Sequence, residues 1–192
     1  IYVPIDKGLL GFRICLVNQD DRHIFSKINT LADINKARFF IGVGTHWPDR
    51  TVIEDNGLRT IHSEVYESLF DMLHKQRFTC FLRSVNEIDS EVMAHSHLNF
   101  TDEQHIALLY PSADFMFVAK SSKRLKERLE KGIKIAIENG DFDAHFDKHY
   151  MTVLQKYNVF NRKLLFLKNK NISEQALRVI NIYGLASFTN DY

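Results

Sequence analysis

The chain has 192 residues, 45% of them apolar, and its 25 basic side chains nearly balance 24 acidic ones, for a net charge of +1. That composition supports a real core and argues against disorder. It also argues against a nucleic-acid binder working through bulk positive charge. No apolar run reaches the roughly 18 residues that a membrane span needs, and residues 1–192 contain no basic-then-apolar stretch of the signal-peptide kind.

In chain order, GFRICLVN (11–18) reads as a strand. NTLADINK (29–36) reads as a short helix, with Thr30 as its cap and Asp33 three residues on. FFIGVG (39–44) is almost continuously apolar, as expected of a strand buried on both faces. Pro48 suits a first helical turn and Gly57 the position just past its end. LRTIHS (58–63) is a short strand, and Ser63 is placed to cap the helix EVYESLFDMLHKQ, where Val65, Leu69, Met72 and Leu73 recur at helical spacing. RFTCFLRS (77–84) is the next strand. Ser84-Val85-Asn86-Glu87 has the form of a capping box opening a helix to about Ala94. HIALLYP (105–111) and ADFMFVAK (113–120) read as strands around a Pro-Ser kink. Leu125, Leu129, Ile133 and Ile137 then step along a helix that stops at Asn139-Gly140. Phe142, Phe146 and Tyr150 continue on a second helix. In residues 158–192 KLLFLKN suggests a strand, and the rest reads as loop or short helix.

Cys15 and Cys80 lie in apolar runs that read as mid-strand in different units. Buried thiols acting as small hydrophobes are the favoured reading, and a disulfide the less favoured one. No CxxC or Cys/His zinc spacing occurs.

Residues 39–110 thus alternate strand and helix with short connections, the pattern of a mostly parallel sheet with helices on both faces. Ligands of such sheets sit beyond the carboxyl ends of the strands, against helix N-termini. The turn Gly42-Val43-Gly44-Thr45-His46-Trp47 is one of those ends. Gly44 lets the backbone come close and Thr45 adds a hydroxyl, which suits an anion or carboxylate. A tight corner capped by Thr45 is the plainer alternative.

Several segments resemble type II periplasmic solute-binding proteins, the kind that serve amino-acid ABC transporters. NTLADINKARFFIGVGTHWPD is similar to that family's entry into its second lobe, and YESLFDMLHKQRFTCFLRS to the segment after it. FMFVAKSSKRLKERLEKGIKIAIENGDFDAHFDKHY is similar to its closing stretch. PIDKGLLGFRICLVN resembles the approach to the lobe crossing in one branch. The resemblance covers residues 1–157. It implies an α/β fold of two lobes with mostly parallel sheets: lobe two at 27–111, and lobe one built from 1–26 and 112–192. The resemblance further implies that the family's first βαβ segment would precede Ile1, leaving lobe one incomplete in residues 1–192.

By the same resemblance Gly44 and Thr45 fall at the family's carboxylate-binding turn, flanked by His46 and Trp47. Arg83 and Ser84 fall where the family often has an acid that holds a ligand amine. Arg83 offers a planar fork for a carboxylate or phosphate, with a surface pairing to Glu87 or Asp89 as the alternative. For Ser84 the alternative is capping. Arg13, near the lobe crossing, is a candidate against a solvated strand arginine. Tyr66, Tyr110 and Trp47 are aromatic candidates against core packing.

His95 and His97, and His145 and His149, have ligand-like spacings but lack the Glu of a zinc hydrolase motif. No metal and no cofactor is expected. The resulting expectation is a periplasmic or extracytoplasmic binding protein, not an enzyme. It would capture a small polar solute, amino-acid-like or anionic, and present it to an ABC permease. A ligand-sensing domain that reports to a membrane sensor is the alternative. An α/β transferase or hydrolase using the Thr45–His46 turn, with Arg83 as anion clamp, lacks an evident oriented base.

Overall fold

In the computed structural model, which describes residues 1–188, the chain is organised around Phe12–Asn18 (β1), whose first six residues are all buried. A capping box follows at Thr30: its hydroxyl accepts from Asp33 N–H at 3.2 Å while the Asp33 carboxylate accepts from Thr30 N–H at 3.0 Å, and this starts Leu31–Lys36 (α1). Ile41–Gly44 (β2) is buried throughout. Pro48 occupies the first turn of Pro48–Asp55 (α2), and Gly57 takes φ +76° beyond its end, a conformation that costs glycine little. Thr60–Ser63 (β3), Tyr66–His74 (α3), Cys80–Ser84 (β4), Ile88–Ala94 (α4), Phe100–Asp102 (β5) and Ile106–Leu109 (β6) complete the alternation. Lys123–Glu138 (α5) and Asp141–Lys156 (α6) are joined by Asn139 and Gly140, the latter at φ +85°. Lys163–Phe166 (β7) and Glu174–Tyr183 (α7) close the chain.

The strands form one seven-stranded sheet in the order β3-β2-β4-β1-β6-β7, with β5 also paired to β1. β2 runs parallel to β3 and β4, and β6 parallel to β7. β1 is antiparallel to β4, β5 and β6, so every strand except β1 points the same way. The sheet is continuous, so residues 12–18 and 163–166 share it with the strands of 27–111. Alternate residues feed two cores. Ile14, Leu16 and Phe81 face Leu69, Phe70, Ile88 and Phe146. Cys15, Val17, Leu82 and Leu108 face Ile34, Val52 and Ile53. Helices therefore cover both faces, as a parallel arrangement requires.

Several expectations are corrected. Cys15 and Cys80 form a disulfide, with Cα atoms 5.0 Å apart. They are not in separate units: β1 and β4 are neighbours, and the register Cys15↔Leu82 puts the two cysteines on one face, diagonally across the pair. The helix expected from Glu64 begins at Tyr66. Ser63 Oγ accepts from Val65 N–H at 3.1 Å instead of capping it, and Val65 lies 61% exposed outside the helix. Only half of the Ser84–Glu87 box forms, and α4 starts at Ile88: Glu87 accepts from Ser84 N–H, while the Ser84 hydroxyl donates to Asn86.

Residues 113–120 are not a strand. Their backbone has too few partners for a ladder: Ile5 N–H donates to Asp114 C=O at 3.0 Å and the Ile1 amine to Met116 C=O at 3.0 Å. β5 was not foreseen, and α7 falls in the stretch read as loop or short helix. Three residues carry little strand pattern, and α7 is announced only by the Ser173 hydroxyl, which accepts from Ala176 N–H.

Candidate functional site

Because β1 runs against the others, its first residues lie at the same end of the sheet as the carboxyl ends of β2, β4 and β6. Arg13 stands opposite Ser84, and Ile14 opposite Arg83. Directly opposed residues share a face, so Arg13 and Arg83 leave the sheet on opposite faces and meet around its end. There they line a cleft of about 400 Å³ together with Trp47, Asp49, Glu87 and Tyr110. A larger hollow of about 860 Å³ lies between residues 1–2, 115–120 and α5. None of the buried charged side chains among the described residues lines it, so the convergent chemistry is in the smaller cleft.

Both arginines are buried, Arg13 at 6% and Arg83 at 5% exposure, so each must be paired. Arg13 Nη2 meets Asp49 Oδ1 at 2.7 Å, and its Nε donates to the Tyr110 hydroxyl at 2.9 Å. Tyr110 in turn donates to Asp49. Arg83 Nε donates to both Glu91 oxygens at 2.8 Å, and its Nη2 lies 2.5 Å from Glu91 Oε1. Tyr66 donates to the same Glu91 oxygen. Glu87 Oε2 bridges the two systems, 3.1 Å from Arg83 Nη2 and 3.5 Å from Arg13 Nη1.

The guanidinium of Arg83 also lies over aromatic rings, 4.8 Å from the Trp47 centroid, 5.0 Å from Phe81 and 5.6 Å from Tyr66. Burial opposes the Arg83 charge, but the hydrogen bonds and field of Glu91 and Glu87 outweigh it and raise its pKa. Burial, reinforced by the neighbouring carboxylates, pushes the Tyr66 and Tyr110 hydroxyls well above the usual phenol range, so both act as neutral donors.

Of the residues singled out from sequence, Arg13, Trp47, Arg83 and Tyr110 come together on the cleft. Tyr66 stands behind Arg83 and supports Glu91. Gly44, Thr45, His46 and Ser84 lie outside the cleft wall. Gly44 is roofed by the Trp47 indole, which a β-carbon there would approach to 2.5 Å. Thr45 N–H donates to Ser63 C=O at 2.9 Å and Trp47 N–H to Gly44 C=O at 3.1 Å, so these amides are engaged within the corner. The Thr45 hydroxyl meets His62 Nδ1 at 3.1 Å, and His46 is exposed. Ser84 is fully buried, its hydroxyl also 3.4 Å from the Leu9 carbonyl.

Sequence reasoning missed Asp49 and Glu91 as partners of the arginines. Glu91 had a signal, one helical turn beyond Glu87 on the same side. Asp49 had none, because its partner lies across the sheet. The rings of His145 and His149 lie 4.4 Å apart on α6, tilted by 51°, and no group of three metal-ligating side chains occurs among the described residues. No helix among them is long and apolar enough to cross a membrane.

No family model and no curated protein matches the sequence. Solved structures do resemble it. YckB of Bacillus subtilis is 16% identical, with a TM-score of 0.49 over 82% of this chain and 61% of its own. The amino acid ABC transporter substrate-binding protein AbpA of Streptococcus pneumoniae, bound to L-arginine, is 14% identical, with a TM-score of 0.48 over 76% and 57%. The GluR0 ligand-binding core of Nostoc punctiforme, in complex with L-glutamate, is 13% identical, with a TM-score of 0.46 over 77% and 63%. The likeness is one of fold. The chain spans about three fifths of the length of these structures.

Proposed function

We propose that this chain forms the larger part of a two-lobed extracytoplasmic solute-binding protein. It captures a small polar molecule, amino-acid-like or anionic, at the carboxyl end of the sheet. Lobe two spans 27–111, and 1–26 with 112–192 supply the remainder of lobe one, with β1 and β7 reaching into the lobe-two sheet. The observation that carries this reading is the convergence of two buried arginines from adjacent strands with Trp47 and Tyr110 on one cleft. Such a constellation fixes the orientation of a small polar ligand, and planar guanidinium forks match carboxylates. The sequence resemblance to binding proteins of amino-acid ABC transporters supports the same reading. Capture shifts the population toward a closed form, which an ABC permease reads. The Cys15–Cys80 disulfide fits an oxidising, extracytoplasmic compartment.

The test is a thermal-shift screen of amino acids, small carboxylates and phosphates on the full protein, with mass analysis of any hit after incubation. A ligand at about a hundred times its Kd stabilises by about 2.7 kcal/mol, or roughly 5–10 °C for a chain of this size. Arg83→Lys, which keeps the charge and loses the fork, is expected to weaken a hit about tenfold or more. Thr45→Ala, outside the cleft wall, is expected to leave it unchanged. A panel without a single shift, a hit indifferent to both Arg83→Lys and Arg13→Lys, or a hit converted to product overturns the reading.

A further inference from the structure

The charged network at the cleft has two guanidiniums and three carboxylates: Asp49 and Glu87 on the cleft wall and Glu91 behind Arg83. Glu87 is unlike the other two. Asp49 accepts from Arg13 and Tyr110, and Glu91 from Arg83 and Tyr66. Each therefore has two close partners and little access to water. Glu87 is 41% exposed at the side chain, and its contacts with the arginines are longer, 3.1 and 3.5 Å. The same oxygen, Oε2, also accepts from Ser84 N–H at 3.3 Å. One carboxylate oxygen is thus met by two guanidiniums from opposite faces of the sheet and by a backbone amide at the end of β4. That is the donor set of an oxyanion seat, filled by the chain's own side chain.

We propose that the Glu87 carboxylate is an internal occupant of this seat, and that a ligand carboxylate enters by displacing it. The exchange leaves the charge balance of the buried network unaltered. Asp49 and Glu91 keep both arginines paired, the incoming carboxylate takes the bridging position, and Glu87 turns to water from the turn that carries it. No buried charge is stranded at any stage, which is the condition for a low-cost exchange. The same geometry makes Glu87 a specificity device. A neutral solute cannot replace the negative charge that Glu87 places between the two guanidiniums, although it can accept from Ser84 N–H. The predicted class is a small monocarboxylate, or a free amino acid held by its carboxylate. This inference rests on the cleft reading above, but the seat itself can be probed without any physiological solute.

Trp47 is the chain's only tryptophan, and its ring lies 4.8 Å from the Arg83 guanidinium, so its emission reports on the seat directly. The experiment titrates acetate and, separately, inorganic phosphate into the full protein at fixed ionic strength. It compares wild type, Glu87→Gln, Glu87→Ala and Glu87→Ala/Arg13→Lys. Emptying the seat is expected to tighten acetate binding about tenfold or more in both single variants, from removal of a competing charge-assisted hydrogen-bond acceptor. Acetate is also expected to raise their melting temperatures more than that of wild type. The double variant is expected to lose the gain.

Acetate binding to Glu87→Ala no tighter than to wild type overturns the proposal, as does a gain that survives in the double variant. A preference for phosphate over acetate overturns the assigned ligand class. The two readings fail separately. A solute that binds wild type through Arg83 without any gain in the Glu87 variants removes only this inference. A gain for acetate in a protein that no solute stabilises removes only the transport reading.

Discussion

Reduction of the Cys15–Cys80 disulfide is the perturbation whose size follows most directly from the structure. The bond closes a loop of 65 residues. The chain-entropy relation gives a loss of roughly 14–15 cal/mol/K from the unfolded ensemble for such a loop, or about 4 kcal/mol at room temperature. Both cysteines are almost fully buried on the apolar face shared by β1 and β4, at 3% and 1% exposure. Reduction therefore leaves two small hydrophobes in place and adds no cavity, unlike substitution by alanine. For a chain of this size each kcal/mol is worth roughly 2–4 °C in Tm, so reduction is expected to lower Tm by roughly 8–16 °C. The assay is thermal unfolding followed by circular dichroism with and without a phosphine reductant. Alkylation in denaturant followed by mass measurement counts the thiols in each sample. Native secondary structure is expected to be unchanged before melting, because the effect lies in the unfolded state. An unchanged Tm in a sample that labels at both cysteines would refute the reasoning, as would two free thiols in the untreated protein.

Other consequences are equally open to measurement. Burial pushes the Glu103 carboxyl up to about 7, against the pull of the His105 and Ile106 amides and of Arg162. A raised carboxyl stabilises most while protonated in both states, so its contribution is complete below the unfolded value of 4.5 and is lost as pH rises through about 7. Wild type is therefore expected to lose up to about 3 kcal/mol between those limits relative to Glu103→Gln. Parallel urea midpoints for the two proteins across that range would contradict this. Gly44→Ala places a methyl group against the Trp47 indole. It is expected to cost about 1–3 kcal/mol by overpacking, and the cost should shrink when Trp47→Ala is the background. Additive losses in the double-mutant cycle would show that the two sites do not touch.

What was legible in the sequence is what short-range chemistry controls. The Thr30–Asp33 box, Pro48 with Gly57, and Asn139-Gly140 bound three helices, because caps and positive-φ corners act over a few residues. The continuous apolar run of β2 announced a strand covered on both faces. The 113–120 segment shows the limit of such reasoning. Its pattern is that of a strand, yet a strand exists only where another backbone meets its amides, and pattern does not supply that partner. At Ser63 and Ser84 the side chains chose nearer or alternative partners, Val65 and Asn86, and the helices began later than their caps suggested.

By itself, then, the sequence determined which segments are strands and helices through most of the α/β alternation, and that a glycine-threonine corner ends a buried strand. Only the tertiary structure decided that β1 inserts antiparallel between β4 and β6. That single pairing joins Cys15 to Cys80, brings Arg13 round the sheet end to Arg83, and hands Glu87 to both. The physical reason is that alternation along a strand specifies which face a side chain takes, whereas a neighbour across the sheet is chosen by the packing of distant segments.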